Sequence, residues 1–123
     1  MGAIQVQRED FDDHSEQGPD GLYEWRYRGT VWSFSSAGVE LRFRRYLDEP
    51  TIATLLSPTG WRPDVLASSL FQEACEWLRE REQIAIIQVY HPPTGTYRPL
   101  AESIDAARRL GLPTDSLGSL GTA

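Results

Sequence analysis

The strongest regularity in the chain lies between residues 63 and 82, where apolar side chains recur at the spacing of one helical face. At about 100° per residue, these side chains occupy one half of a helix and polar side chains occupy the other. The apolar half consists of Leu66, Ala67, Leu70, Phe71, Ala74, Cys75, Trp77 and Leu78. Pro63 suits the first turn, where its missing N–H leaves no hydrogen bond unmade, and Arg81 would already point into the apolar half. This spacing predicts an amphipathic helix from Pro63 to about Glu80.

Residues 84–90 follow directly as a short apolar run, IAIIQVY, which is rich in β-branched side chains and ends before Pro92 and Pro93. The run is too short for a globular helix, so it predicts a strand that is covered on both faces. The preceding helix could carry the chain across the sheet, so that this strand pairs parallel to a neighbour. It could equally return the strand antiparallel to an edge, and the sequence leaves both arrangements open.

Residues 22–56 alternate apolar and polar positions with the period of two that is typical of strands. The apolar positions are, in order, Tyr23, Trp25 and Tyr27, then Thr30, Trp32 and Phe34, then Val39, Leu41 and Phe43. Gly29 permits a turn or a bulge between the first two groups, and residues 51–56 predict a fourth strand or a continuation. We expect the apolar face of this meander to pack on the helix and the opposite face to meet water.

The expected fold class is therefore α+β, over residues 22–112. An antiparallel β-meander of three to four strands packs on one amphipathic helix, a further buried strand follows, and a short helix over 100–110 ends the domain. Residues 1–21 predict an acidic, largely flexible segment, although the alternation over 1–8 would allow a short strand. Residues 113–123 predict a disordered tail.

Composition narrows the chemistry further. The 123-residue chain carries a net charge of −6, and all 12 of its basic residues are arginine, which excludes lysine chemistry such as a Schiff base. Cys75 is the only cysteine, so neither an intrachain disulfide nor a cysteine-rich metal site can form. No stretch approaches the roughly 18–20 apolar residues of a membrane span, and no signal-peptide pattern opens the chain. We expect a cytoplasmic protein with no membrane partner and no cofactor.

One candidate binding surface is an arginine face formed by Arg26 and Arg28 on one strand and Arg42 and Arg44 on another. Guanidinium groups on a sheet bind phosphates or carboxylates in bidentate fashion, so phosphate or single-stranded nucleic acid is one hypothesis. Glutamates on the same predicted face favour ordinary cross-strand ion pairs instead. The net negative charge favours an acidic protein partner over nucleic acid.

A second candidate is the loop that follows the buried strand, with His91, Tyr97 and Arg98. Histidine titrates near neutral pH, and loops after buried strands often carry functional residues. This hypothesis, a small enzyme or a ligand-binding domain, requires the three side chains to converge on one concavity with a carboxylate. No spacing in the sequence supplies a catalytic geometry, and His91 before two prolines also suits a stiff surface turn.

The acidic residues Asp10, Asp12 and Asp13 do not form the ligand pattern of a calcium-binding loop, and we assign no metal ligands. No nucleotide-binding, zinc-protease or hydrolase motif occurs in the chain. Whether the protein is an enzyme stays undecided, with the sequence favouring a non-enzymatic role. The leading hypothesis is an accessory protein that binds another protein or forms a homodimer, because its aromatic-rich strands offer edges and surfaces for pairing.

Overall fold

The computed structural model describes residues 4–117 and shows a mixed α+β fold built on a six-stranded sheet. The strands are β1 (Gln5–His14), β2 (Arg26–Ser36), β3 (Val39–Tyr46), β4 (Ile52–Ser57), β5 (Ile86–His91) and β6 (Thr96–Pro99). The helices are α1 (Pro63–Leu66), α2 (Ser69–Glu82) and α3 (Leu100–Arg109), followed by a 3-10 helix, Asp115–Leu117. The strands neighbour one another in chain order. The α+β class is confirmed, whereas the expected meander of three to four strands is too small.

The relation that the sequence left open is settled by the link between β4 and β5. These two strands are parallel, and every other neighbouring pair is antiparallel. The crossover consists of two helices, where the apolar spacing predicts only one. Ser68 separates them, because its hydroxyl donates to the Val65 carbonyl and accepts from the Phe71 N–H at the start of α2. Gln83, with left-handed backbone angles, ends α2.

The core lies between α2 and the first strands, as the two amphipathic patterns predict. Trp32, Phe34, Leu41 and Phe43 are fully buried on one side of the sheet. Phe71 stacks on Phe43 with ring centroids 6.1 Å apart, and Trp77 meets Phe34 edge to face at 5.4 Å. Fully burying one such large side chain contributes roughly 1.5–3 kcal/mol. All three helices add residues to this cluster, so we call this side of the sheet the covered face.

Glu82, at the end of α2, anchors the helix to three strands. Its carboxylate accepts from the Trp32 indole N–H at 3.4 Å and lies 3.2 Å from Nε of Arg8 and 3.8 Å from Nη1 of Arg45. The Arg45 guanidinium also lies over the Trp32 ring, 4.9 Å from its centroid. This group of contacts holds the C-terminal end of α2 over β1, β2 and β3.

Gly29 is the point where the structure departs most from the sequence-based expectation. The chain neither turns nor bulges there, and β2 continues through it in register with both neighbours. A Cβ atom at Gly29 would lie 2.0 Å from the Arg45 carbonyl oxygen, so the glycine is required by close backbone approach. Because β2 is continuous, Tyr27 lies on the face opposite Trp32. The expectation that the Tyr27 ring joins the helix-facing core is therefore wrong.

Both ends of the chain contain more structure than expected. Residues 9–14, assigned to a largely flexible segment, belong to β1, which pairs with β2 along all ten of its residues. Within the predicted tail, Leu117 is buried with 3% exposure, and the Trp61 indole N–H donates to the Pro113 carbonyl at 3.0 Å. The remainder of the predicted tail, 118–123, lies outside the described residues.

Candidate interaction face

The side of the sheet opposite the core, here called the open face, carries no helix over β1, β2 and β3 in the part of the chain that the structure describes. Its side chains are the alternate residues that point away from Trp32 and Phe43. Strand register aligns them in four rows across these three strands: Gln5–Ser35–Glu40, Gln7–Ser33–Arg42, Glu9–Val31–Arg44 and Phe11–Gly29–Tyr46. Each row thus begins on β1, crosses β2 at a small or medium side chain, and ends on β3.

Four aromatic rings form a continuous line on the open face. Phe11 meets Tyr46 edge to face with centroids 6.2 Å apart, Tyr46 lies 5.7 Å from Tyr27, and Tyr27 lies 5.8 Å from Trp25. Phe11 and Tyr46 meet because Gly29, between them in the row, has no side chain. Tyr27 and Trp25 remain 53% and 46% exposed. Exposed aromatic groups of this kind in one line are typical of a contact surface.

Arg42 and Arg44 stand beside these rings without an ion pair among the described residues. The Arg44 guanidinium lies over Tyr46, 4.3 Å from the ring centroid. Its Nε atom is buried and has no hydrogen-bond partner within residues 4–117. Glu9 and Asp13 line the same shallow concavity of about 320 Å³, and neither makes an ion pair in that range. The open face therefore carries both positive and negative groups whose charges are not paired with any residue that the structure describes.

The predicted arginine face does not exist as a single surface. Arg26 and Arg28 lie on the same side of β2 as Trp32, whereas Arg42 and Arg44 lie on the open face. Arg26 is paired with Asp12 through two contacts, Nη2 to Oδ2 at 2.6 Å and Nε to Oδ1 at 3.0 Å. This hydrogen bonding lowers the pKa of Asp12 and raises that of Arg26. The split follows from the continuous path of β2 through Gly29.

The second predicted site is also dispersed. His91 ends β5 and its Nδ1 lies 2.8 Å from the Thr94 hydroxyl across the β5–β6 turn. Arg98 pairs with Glu102 at 2.9 Å on the surface, and Tyr97, one residue before it in β6, points to the opposite face of the sheet. Tyr97 lines a small concavity with Trp61 and Tyr90, to which neither His91 nor Arg98 contributes, so the convergence that this hypothesis requires is not found there.

Sequence reasoning missed Glu9, Phe11 and Asp13 because it treated their segment as flexible. A signal was available at Gly29: a single residue is too short for the usual two-residue hairpin loop. A continuous strand there would have moved Tyr27 to the opposite face. It would then have placed the aromatic rings among the arginines of β3.

The described residues hold no group of three or more His, Cys, Asp or Glu side chains placed to bind a metal. Within the same range, none of the helices has the length and apolar character needed to cross a membrane. Comparisons of the chain with protein-family models, with curated proteins and with solved structures found no match.

Proposed function

We propose that this chain is a non-enzymatic protein-binding module and that the open face is the surface that contacts the partner. One observation carries the proposal. Aromatic rings and charges of both signs, unpaired among residues 4–117, share a sheet face that none of the described helices covers. The residue types fit this role, because tyrosine and arginine are enriched among the residues that dominate binding energy at protein interfaces.

The open face offers binding energy that requires no internal ion pair to be broken. Arg42 and Arg44 have no ion-pair partner among residues 4–117, and the buried Nε of Arg44 lacks an acceptor. A hydrogen bond to a charged group contributes roughly 1.5–3 kcal/mol, so an oxygen acceptor that a partner brings to the exposed Arg42 guanidinium would be well placed. By contrast, the exposed Arg26 must give up its contacts to Asp12 before it can bind anything else.

The open face fits protein better than nucleic acid. Its arginines do lie among aromatic rings, as in sheets that bind single strands, but Glu9 and Asp13 line the same concavity. Together with the net charge of −6, these carboxylates would repel a phosphate backbone. A protein partner offers both signs of charge and therefore complements the face.

The direct test compares capture of partners from a native lysate by the purified wild-type chain and by Tyr27→Ala and Arg42→Ala variants. We expect a specific captured protein, or self-association, to fall at least tenfold with either open-face variant. Arg98→Ala is the matched control, because Arg98 is also an exposed arginine on a strand, but β6 is the edge strand at the other end of the sheet from β1.

Two results would contradict the proposal. One is equal capture by the open-face variants and the control. The other is binding of a single-stranded oligonucleotide that weakens steeply as salt rises, since counterion release gives that dependence.

A further inference from the structure

We propose that the open face binds a second copy of this chain, stacked face to face about a two-fold axis that runs parallel to the strands and over β2. This inference rests on the proposed function and names its partner. It predicts a symmetric dimer in which two three-stranded surfaces form the halves of a sandwich.

The symmetry places unlike strands over one another. An axis over β2 brings β1 of one copy above β3 of the other and keeps each residue at its height along the strand. Each row of the open face therefore lies over the same row of the second copy, with its β1 end above the β3 end. Glu9 faces the Arg44 of the second copy, Phe11 faces its Tyr46, and Gln7 faces its Arg42.

The usual angle between packed sheets does not disturb this match. Aligned sheets cross at about 30°, and β1 and β3 each lie about 4.8 Å from β2. The crossing then shifts facing residues by roughly 2.4 Å along the strand, which is less than the rise of about 3.3 Å per residue. Rows that face one another under perfect alignment remain nearest neighbours.

Charge complementarity gives the second copy its advantage over other partners. Glu9 and Arg44 lie at opposite ends of one row, with Val31 between them, and make no ion pair with each other or with another described residue. The two-fold axis converts this separation into two identical intermolecular pairs, Glu9 with Arg44 in each direction. The face is thus complementary to itself, as an interface between identical copies must be.

Shape supports the same arrangement. Along residues 29–35 of β2, the open-face side chains nearest the axis are those of Gly29, Val31, Ser33 and Ser35, which are small or of medium size, and the larger Tyr27 lies at the end of this stretch. The large rings of Phe11 and Tyr46 lie on either side of Gly29. Two copies can approach closely at Val31 and Ser33, while the Phe11 and Tyr46 rings that meet over Gly29 pack on the same pair of rings in the other copy.

The free edge of β1 is a weaker route to self-association. Its residues 9–13 carry four carboxylates, Glu9, Asp10, Asp12 and Asp13. Antiparallel pairing of β1 with a second β1 would set carboxylates against carboxylates, and like charges directly opposite destabilise a sheet. These acids protect the edge, whereas on the open face Glu9 finds an opposite charge.

Light scattering over a dilution series, with four samples, tests the inference. The wild-type chain should show twice its monomer mass of 13.9 kDa. Glu9→Arg alone and Arg44→Glu alone should each self-associate at least tenfold more weakly, because like charges then face one another. An equal mixture of these two variants should recover the dimer mass, since each introduced charge meets its opposite in the mixed pair.

The control is Asp105→Arg, a charge reversal on the exposed side of α3, which should leave the dimer unchanged. Thermal unfolding of each variant shows whether it is folded. If one single variant is not, the double variant Glu9→Arg/Arg44→Glu, which restores the facing pairs, should form a dimer. A monomeric wild-type chain, or a mixture that stays monomeric, overturns the inference. If the chain is monomeric but captures a different protein in a way that depends on Tyr27 and Arg42, the proposed function stands without the dimer. If it neither forms a dimer nor captures a protein through these residues, both the proposed function and the dimer are refuted.

Discussion

Replacing Gly29 with alanine tests the feature that decides which residues share a face. In a turn or a bulge with ordinary backbone angles, a methyl group would be tolerated. In the continuous strand of the structure, the added Cβ would lie 2.0 Å from the Arg45 carbonyl oxygen and 3.0 Å from Cζ of Phe11. The Phe11 ring can move aside, but the Arg45 oxygen belongs to the neighbouring backbone. β2 and β3 must therefore separate locally.

The expected cost follows from that separation. Real Cβ atoms essentially never approach another heavy atom closer than 3.0 Å, so the strands must part by about 1 Å. Forcing an extra methyl group into a packed site costs roughly 1–3 kcal/mol. Weakening one or two ladder hydrogen bonds adds about 1 kcal/mol each. We expect Gly29→Ala to lower the free energy of unfolding by about 2–4 kcal/mol and Tm by roughly 10 °C.

Urea denaturation followed by tryptophan fluorescence gives the free energy directly, and thermal unfolding gives Tm. Ser33→Ala is the matched control, because Ser33 lies on the same strand and face and should change stability by no more than about 0.5 kcal/mol. A Gly29→Ala variant as stable as the control would refute the continuous strand. That result would support a turn or bulge at Gly29, which would place Arg26 and Arg28 on the same face of the sheet as Arg42.

Three further predictions concern other parts of the chain. Burial raises the pKa of the Cys75 thiol to about 12, so at pH 8 it should react slowly with a disulfide reagent until the chain is unfolded, and rapid labelling of the folded protein would contradict this burial. Arg26 lowers the pKa of Asp12, so their pair stabilises the fold above the ordinary carboxyl pKa of 3.8 and is lost as pH falls through the lower folded value. The stability difference between wild type and Asp12→Asn should therefore shrink from pH 7 to pH 3, and a constant difference would count against the pair. Glu82→Ala should cost about 1–3 kcal/mol in urea, because the Trp32 indole N–H loses its acceptor, and an unchanged midpoint would contradict that role.

The split of the predicted arginine face shows where local patterns stop being informative. The residues up to Tyr27 alternate apolar and polar positions, and so do the residues from Thr30 onward. Each of these two alternations by itself predicts a strand. The face that each set occupies depends on the path of the chain at Gly29. That path is decided by a contact with Arg45, 16 positions further along. A hydrophobic pattern with a period of two contains no information about such a long-range contact.

The prediction that the second site converges was not met for a related reason. His91, Tyr97 and Arg98 are close in sequence, but β5 and β6 form a hairpin in which Tyr97 and Arg98 point to opposite faces. The acidic stretch of β1 was missed because its composition is dominated by charge and because Gly18, Pro19 and Gly21 follow it closely. It becomes a strand through pairing with β2, and that pairing compensates for a weak local preference.

The sequence alone determined the amphipathic character of α2, a strand predicted at 84–90 that the structure places at Ile86–His91, and the core positions from Thr30 to Phe43, because helix and strand periods are local properties of the chain. Only the tertiary structure decided that β2 passes straight through Gly29, that β4 and β5 run parallel, and that Glu9 and Arg44 end the same row. Those features depend on backbone contacts between strands that are distant in sequence. They define the open face, and with it the proposed partner.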